Sequence, residues 1–457
     1  MSENIHIYCS RDDNARVEWF SSILQSRIRP DNHLPIHIIY GDVTLPPYEH
    51  SRAINIKISK SSRQLNEIEK IFDRFSKNDW LEYNSGLFHV NVDLVVFTLW
   101  NLNREEENLQ KDDPGCWDKK GRFKLEKTLA YKKGLWRKPV VDILLKQLIE
   151  KIQLHYNISL LNECPWGLNK SYGVWLTHDV DNLIGRYVIP VKLMVWSFLA
   201  IWNVLKGNIK LCRRWLLKVF STLIDDRDTR YESLFKIIQL ENVYHVNSTF
   251  FFMSLRKGIS IKERLRYPIN HKKTLSALNS ISASGNYIGL HPGRYKPYDI
   301  ANLTMQKTDL ESVLNKKVEM VRNHHLLARY PDSWFLHETA GFRLCSNMGW
   351  GPDNGFRAGT CWPYHPFDLE HGRPLNLVEV PLIYMDNTMD CEEAIMKDME
   401  YLIREVSEVH GLLTANFHSH IFENTDGLAK GNAFKYLVRM CKSFGVTKPA
   451  TCGCIDR

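Results

Sequence analysis

Four short segments of this 457-residue chain carry acid, base and metal-ligating side chains where strands are expected to end. They are Thr177-His-Asp-Val-Asp181, His291-Pro-Gly-Arg-Tyr295, Arg322-Asn-His-His325 and His418-Ser-His420. A carboxylate pair, imidazoles and an arginine make up the inventory of a metal-assisted hydrolase. One carboxylate with two imidazoles can hold a divalent ion and leave coordination positions open. Water in such a position loses its proton near neutral pH. A second carboxylate can accept that proton, an arginine can keep the carboxylate ionised and aimed, and a histidine opposite can protonate a departing amine or alcohol. Each signal alone is weak, because a DxD pair also caps helices and a lone strand-end histidine is more often a hydrogen-bonded core residue. Together they are stronger.

The elements that must position these segments show β-α alternation from residue 172 onward. Strand-like runs at 173–177, 248–253, 287–290, 318–321, 378–382 and 412–417 alternate with helical spacing at 230–240, 272–284, 301–314, 333–340 and 391–409. This pattern predicts a parallel sheet or barrel, whose functional groups gather at the carboxyl ends of the strands. Residues 1–165 read as a separate α/β unit, with strands at 36–40, 53–58 and 87–90, a helix at 64–75, and another opened by Pro139. The expected organisation is an N-terminal α/β domain over 1–165 and a (β/α) barrel over 166–457, with a helical insertion near 187–225.

Composition narrows the function classes. Apolar residues form 44% of the chain and charged ones 25%, which excludes a disordered or fibrous protein. Lys and Arg outnumber Asp and Glu by 60 to 52, a mild excess without basic runs, and no nucleic-acid partner is expected. The ten cysteines form no CxxC pair and read as reduced thiols. With no secretory signal at the N-terminus, a cytoplasmic protein is expected. The apolar-rich core at 193–205 is shorter than the roughly 20 residues needed to span a bilayer. A basic amphipathic stretch follows it, so 188–220 is expected either to pack on the protein as a helical hairpin or lid, the favoured reading, or to touch a membrane surface.

Leu176-Thr-His-Asp-Val-Asp181, Ile288-Gly-Leu-His-Pro292, Val321-Arg-Asn-His-His325 and Asn416-Phe-His418 resemble, in order and wording, the motifs of the polysaccharide deacetylases, the NodB-homology proteins of carbohydrate esterase family 4. Arg104-Glu-Glu106, Gly121-Arg-Phe123 and Arg137-Lys-Pro-Val-Val-Asp142 are similar to the uncharacterised N-terminal domain of a bacterial branch of that family. The resemblance implies a deformed (β/α) barrel that removes N- or O-acetyl groups from a carbohydrate with a divalent metal, zinc being preferred. It implies Asp179 as catalytic base, Arg322 as the arginine orienting it, His418 as general acid and His291 as a metal ligand. Two departures stand out. The family pairs adjacent aspartates where Val180 separates Asp179 from Asp181, the expected carboxylate ligand. Its second metal histidine corresponds to Tyr295, so His324 is expected to supply the missing imidazole.

The segment 351–368 combines turn formers with aromatics and Arg357. It is expected over the barrel mouth, with Trp362 or Tyr364 stacking on a sugar and Arg357 binding an anionic or carbonyl group; an ordered loop packed on the barrel is the bland alternative. The functional expectation is a metal-dependent carbohydrate deacetylase. The rivals are a catalytically impaired carbohydrate-binding protein, suggested by Tyr295 and Val180, and a membrane-surface enzyme acting on a lipid-linked sugar.

Overall fold

Strand-forming runs rich in Ile, Val and Phe build two main sheets in the computed structural model, which describes residues 5–29, 34–43, 53–62, 64–75, 79–163, 165–167, 170–183, 189–224, 229–254, 267–293, 299–386, 391–422 and 428–444. The first sheet contains β1 (Ile5–Tyr8), β2 (Ile36–Tyr40), β3 (Ile54–Ile58), β4 (Leu81–Asn84) and β5 (Leu87–Val90), in the order β1-β2-β3-β5-β4. Pairing is parallel except in the β4–β5 hairpin. Helices α1 (Asn14–Gln25), α2 (Leu65–Phe75), α3 (Leu94–Leu102), α4 (Glu105–Leu109), α5 (Leu129–Lys132) and α6 (Val140–Tyr156) accompany it. Every residue of α3 is buried, and Asp93 caps it by accepting from the Val96 amide at 2.9 Å.

The second sheet has eight strands. They are β6 (Gly173–Val180), β7 (Thr249–Phe252), β8 (Tyr287–Leu290), β9 (Met320–Val321), β10 (Leu344–Cys345), β13 (Val378–Glu379), β14 (Tyr384–Met385) and β15 (Leu412–Asn416); a small hairpin, β11 (Phe367–Asp368) with β12 (Arg373–Pro374), lies apart. The order is β13-β10-β9-β8-β7-β6-β15-β14, and every pairing is parallel. Edge strands β13 and β14 do not pair with each other. The chain between them bridges the gap, because the Leu382 amide donates to the Met348 carbonyl at 3.0 Å while the next amide, Ile383, donates to Thr414 on the other side at 3.0 Å. The result is a deformed (β/α) barrel, as the family resemblance implied and within the choice of parallel sheet or barrel that the alternation left open.

Strand alternation decides which side chains face the interior. Trp175, Phe251, Leu344, Val378 and Leu412 form one inner apolar cluster, whereas Val174, Leu176, Val180, Phe250 and Phe252 join the core under the helices. Along β6 the inward positions are therefore 175, 177 and 179, and the sequence carries that parity on to Asp181. Gly289 on β8 makes room for this interior: a Cβ there would sit 2.6 Å from the Phe251 ring. After β6 the chain forms an antiparallel pair of helices, α7 (Ile189–Leu205) and α8 (Ile209–Ile224). Among the described residues no helix is long and apolar enough to cross a membrane.

Candidate metal and acid–base site

Five inward strand ends converge on one mouth. The imidazole of His291, directly after β8, sits with Nε2 3.2 Å from Asp181 Oδ1 and 3.9 Å from Asp179 Oδ2. His324 follows β9 within a 3-10 turn, and its Nε2 lies 3.6 Å from Asp181 Oδ2. One ligand atom from each of Asp181, His291 and His324 falls within 4.8 Å of the others. The turn that delivers His324 is unusual: the next two residues, His325 and Leu326, both have positive φ, at 61° and 54°. Such backbone is costly for residues with a Cβ and is kept where surrounding structure enforces it.

The chemistry of this donor set fits a cation. A backbone carbonyl only accepts, so the 2.6 Å contact of His291 Nδ1 with the Arg322 carbonyl makes Nδ1 the N–H donor. In the neutral ring Nε2 then presents a lone pair to the Asp181 carboxylate, and two acceptors at 3.2 Å require a positive charge between or on them. Two imidazoles and one carboxylate are also a recurrent open-site set for zinc. Burial alone would raise the Asp181 pKa, but His324 and His291 outweigh it and hold the carboxyl well below the ordinary carboxylate range.

Asp179 is tied to the other side of the site. Arg322, fully buried, donates from Nη1 to Asp179 Oδ1 at 3.3 Å, to Thr177 Oγ1 at 2.6 Å and to Asn416 Oδ1 at 3.0 Å. Its Nε and Nη2 go to the carbonyl and hydroxyl of Ser346 at 2.9 and 2.8 Å, and its guanidinium lies over the Phe251 ring. Burial pulls the guanidinium pKa down and Asp179 opposes the change. The cation thus fixes one oxygen of Asp179 and leaves Oδ2 directed toward His291.

Opposite stands a histidine–carboxylate pair. Asp386 accepts from His418 Nδ1 at 2.5 Å and from the His418 backbone amide at 3.1 Å. Burial lowers the His418 pKa, but Asp386 overrides it, with smaller help from Asp181 and Asp179, and the imidazole is pushed up to about 9. Asp386 itself is lowered: burial opposes, His418 prevails. From the sequence Asp386, just past a strand, reads only as a further polar contact; the structure pairs it with His418. Its signal was positional, since β14 and β15 pair in register at Met385 and Asn416, and Asp386 and His418 lie one and two residues past those partners.

Asp179, Asp181, His291, Arg322, His324 and His418 are therefore brought together, whereas Arg357, Trp362 and Tyr364 are not placed for the expected sugar contacts. All three are buried at the junction with the N-terminal unit. Arg357 donates from Nε and Nη2 to Glu107 at 2.9 and 2.7 Å and from Nη1 to the Gly349 carbonyl at 3.2 Å. Trp362 Nε1 donates to the Val409 carbonyl at 3.1 Å, and the Tyr364 hydroxyl donates to the Leu102 carbonyl at 2.8 Å. Asp142 of α6 accepts from Thr360 Oγ1 and the Cys361 amide at 2.7 and 2.8 Å. The loop expected over the mouth instead fastens the two units, because the buried arginine pairs with Glu107 of the N-terminal unit. Val180 faces the helices, so its insertion leaves both carboxylates on the interior side; Tyr295 lies outside the described residues.

Comparison with known proteins finds one family and several solved structures to which the chain is similar. The family of unknown function DUF7033 matches residues 35–157. No curated protein matches. The chain is similar at 13% identity and TM-score 0.39 to a protein assigned as a polysaccharide deacetylase from Mycobacterium smegmatis, over 61% of this chain and 87% of that one. It is similar at 11% identity and TM-score 0.30 to a CE4 family pseudoenzyme from Bacillus anthracis, over 62% of this chain and 64% of that one. A peptidoglycan N-acetylglucosamine deacetylase is similar at 13% identity and TM-score 0.29, over 62% of this chain and 86% of that one.

Proposed function

We propose that the chain is a metal-dependent hydrolase that removes an acetyl group from a carbohydrate. The observation that carries this reading is the ligand set of Asp181, His291 and His324 flanked by two differently held groups, Asp179 on Arg322 and His418 on Asp386. Motif order resembling the polysaccharide deacetylases supplies the substrate class. A divalent ion held by the three ligands, zinc being preferred for this donor set, would acidify water and polarise the acetyl carbonyl.

The remaining steps belong to the chain. Asp179 Oδ2 accepts the proton of the attacking water while Arg322 keeps the carboxylate aimed. Asp386 fixes Nδ1 of His418 as a donor, which assigns proton transfer to Nε2. At neutral pH His418 is charged, given its pKa of about 9, and it protonates the departing nitrogen or oxygen.

Chelation of the purified chain should abolish acetate release from acetylated amino-sugar oligomers or acetylated polysaccharide, and one equivalent of zinc should restore it. Release that is indifferent to metal, or a chain that takes up no divalent ion, rejects the reading. A second measurement concerns pH. A general acid works while protonated, so kcat/KM should decline as pH rises through about 9. In Asp386→Asn burial is opposed only by the weaker pull of Asp181 and Asp179, and the declining limb should move to lower pH; a limb that stays in place removes His418 from the acid role.

A further inference from the structure

We infer that the α7–α8 hairpin docks the protein on an anionic lipid surface. The hairpin is held by its own seam, where Ala200 and Cys212 are buried, and by a built turn in which the Gly207 and Asn208 amides donate to Val204 and Asn203. The apolar side chains on its other faces remain in water. Phe198, Ile201, Trp202 and Leu217 are exposed, and the residues on either side of the turn, Leu205 and Ile209, are 77% and 80% accessible. Isolated exposed leucines need no explanation, but a run of large apolar groups concentrated on one protruding element marks an interaction surface.

Charge selects the occupant. Residues 189–224 contain no Asp or Glu, and Lys206, Arg213 and Arg214 are exposed among the apolar side chains. Lys206 Nζ lies 4.9 Å from the centre of the Trp202 ring, placing a cation and an indole side by side near the turn. Aromatic and basic groups beside an apolar tip suit the headgroup region of a bilayer, and anionic lipids complement the cations. A second copy of the same hairpin would instead oppose like charges. A helix of 17 residues is about 25 Å long, short of the roughly 30 Å hydrocarbon core, so the element lies in the interface rather than crossing it. The hairpin leaves the barrel directly after the strand that bears Asp179, so surface docking would concentrate the hydrolase where lipid-linked or envelope carbohydrates are found.

The test uses the full chain with vesicles of phosphatidylcholine alone and of phosphatidylcholine with phosphatidylglycerol. Co-sedimentation should occur with the anionic vesicles and be released by salt. Leu205→Glu with Ile209→Glu, and separately Arg213→Glu with Arg214→Glu, should each lower the bound fraction about tenfold or more. These positions are exposed, and circular dichroism checks that the fold persists. Equal sedimentation with both vesicle types overturns the inference, as does unchanged binding by both variants. So does a concentration-dependent dimer in vesicle-free solution that the Leu205/Ile209 variant abolishes. Vesicle binding is read without hydrolysis, so its failure and failure of the metal-dependent reading are separate results.

Discussion

Asp179→Asn should lower kcat by about 10²–10⁴ while leaving metal uptake intact, since positioned acid–base groups contribute rate enhancements of that order. The amide keeps an oxygen for Arg322 Nη1, so the hydrogen bond now measured at 3.3 Å can persist and the fold should tolerate the change. What disappears is the second carboxylate oxygen, the proposed proton acceptor beside Asp181, His291 and His324. Asp181→Asn provides the contrast. Asp181 lies between both imidazoles, at 3.2 and 3.6 Å, so its substitution should lose metal and activity together. Acetate release and elemental analysis on both variants separate the two roles. If Asp179→Asn stays within a few-fold of the parent rate, or if Asp181→Asn retains full metal, the assignment of base and ligand fails.

That the two aspartates share one face of a strand was legible in the sequence, and the reason is periodicity. A spacing of two on a strand keeps Asp179 and Asp181 on one face, and the β-α alternation implied a parallel sheet or barrel, at the carboxyl ends of whose strands the structure brings these side chains together. His324 was harder to foresee, because the turn that presents it depends on positive φ at His325 and Leu326, which no composition rule requires of a histidine and a leucine. The aromatic loop misled for a different reason. Rings and an arginine amid turn formers look the same whether they face a sugar or a second domain, and what decides is Glu107, some 250 positions away in sequence. The cradle of Arg322 was likewise invisible: Thr177, Ser346 and Asn416 are ordinary polar residues until three strands bring them to one guanidinium. Pairings across such separations are fixed by sheet order rather than by local pattern.

That cradle yields the second large effect. Arg322→Met should destabilise the protein by about 3–5 kcal/mol, the usual cost of leaving one member of a buried ion pair without its partner. Three features put Arg322 in that class. It is fully buried, its carboxylate partner is nearly so, and its Nε and Nη groups satisfy Ser346, Thr177 and Asn416 as well as Asp179. Methionine refills much of the space over Phe251 and Trp175, so the loss measures charge and hydrogen bonding more than a cavity. A double-mutant cycle isolates the ionic part. If the cost comes chiefly from stranding a carboxylate, Arg322→Met combined with Asp179→Asn should be less destabilised than the sum of the single changes, with a coupling of about 1 kcal/mol or more in denaturant melts. Additive losses would mean that Arg322 stabilises the barrel through Ser346, Thr177 and Asn416 alone. The arginine would then be a structural strut rather than the group that keeps the Asp179 carboxylate in place.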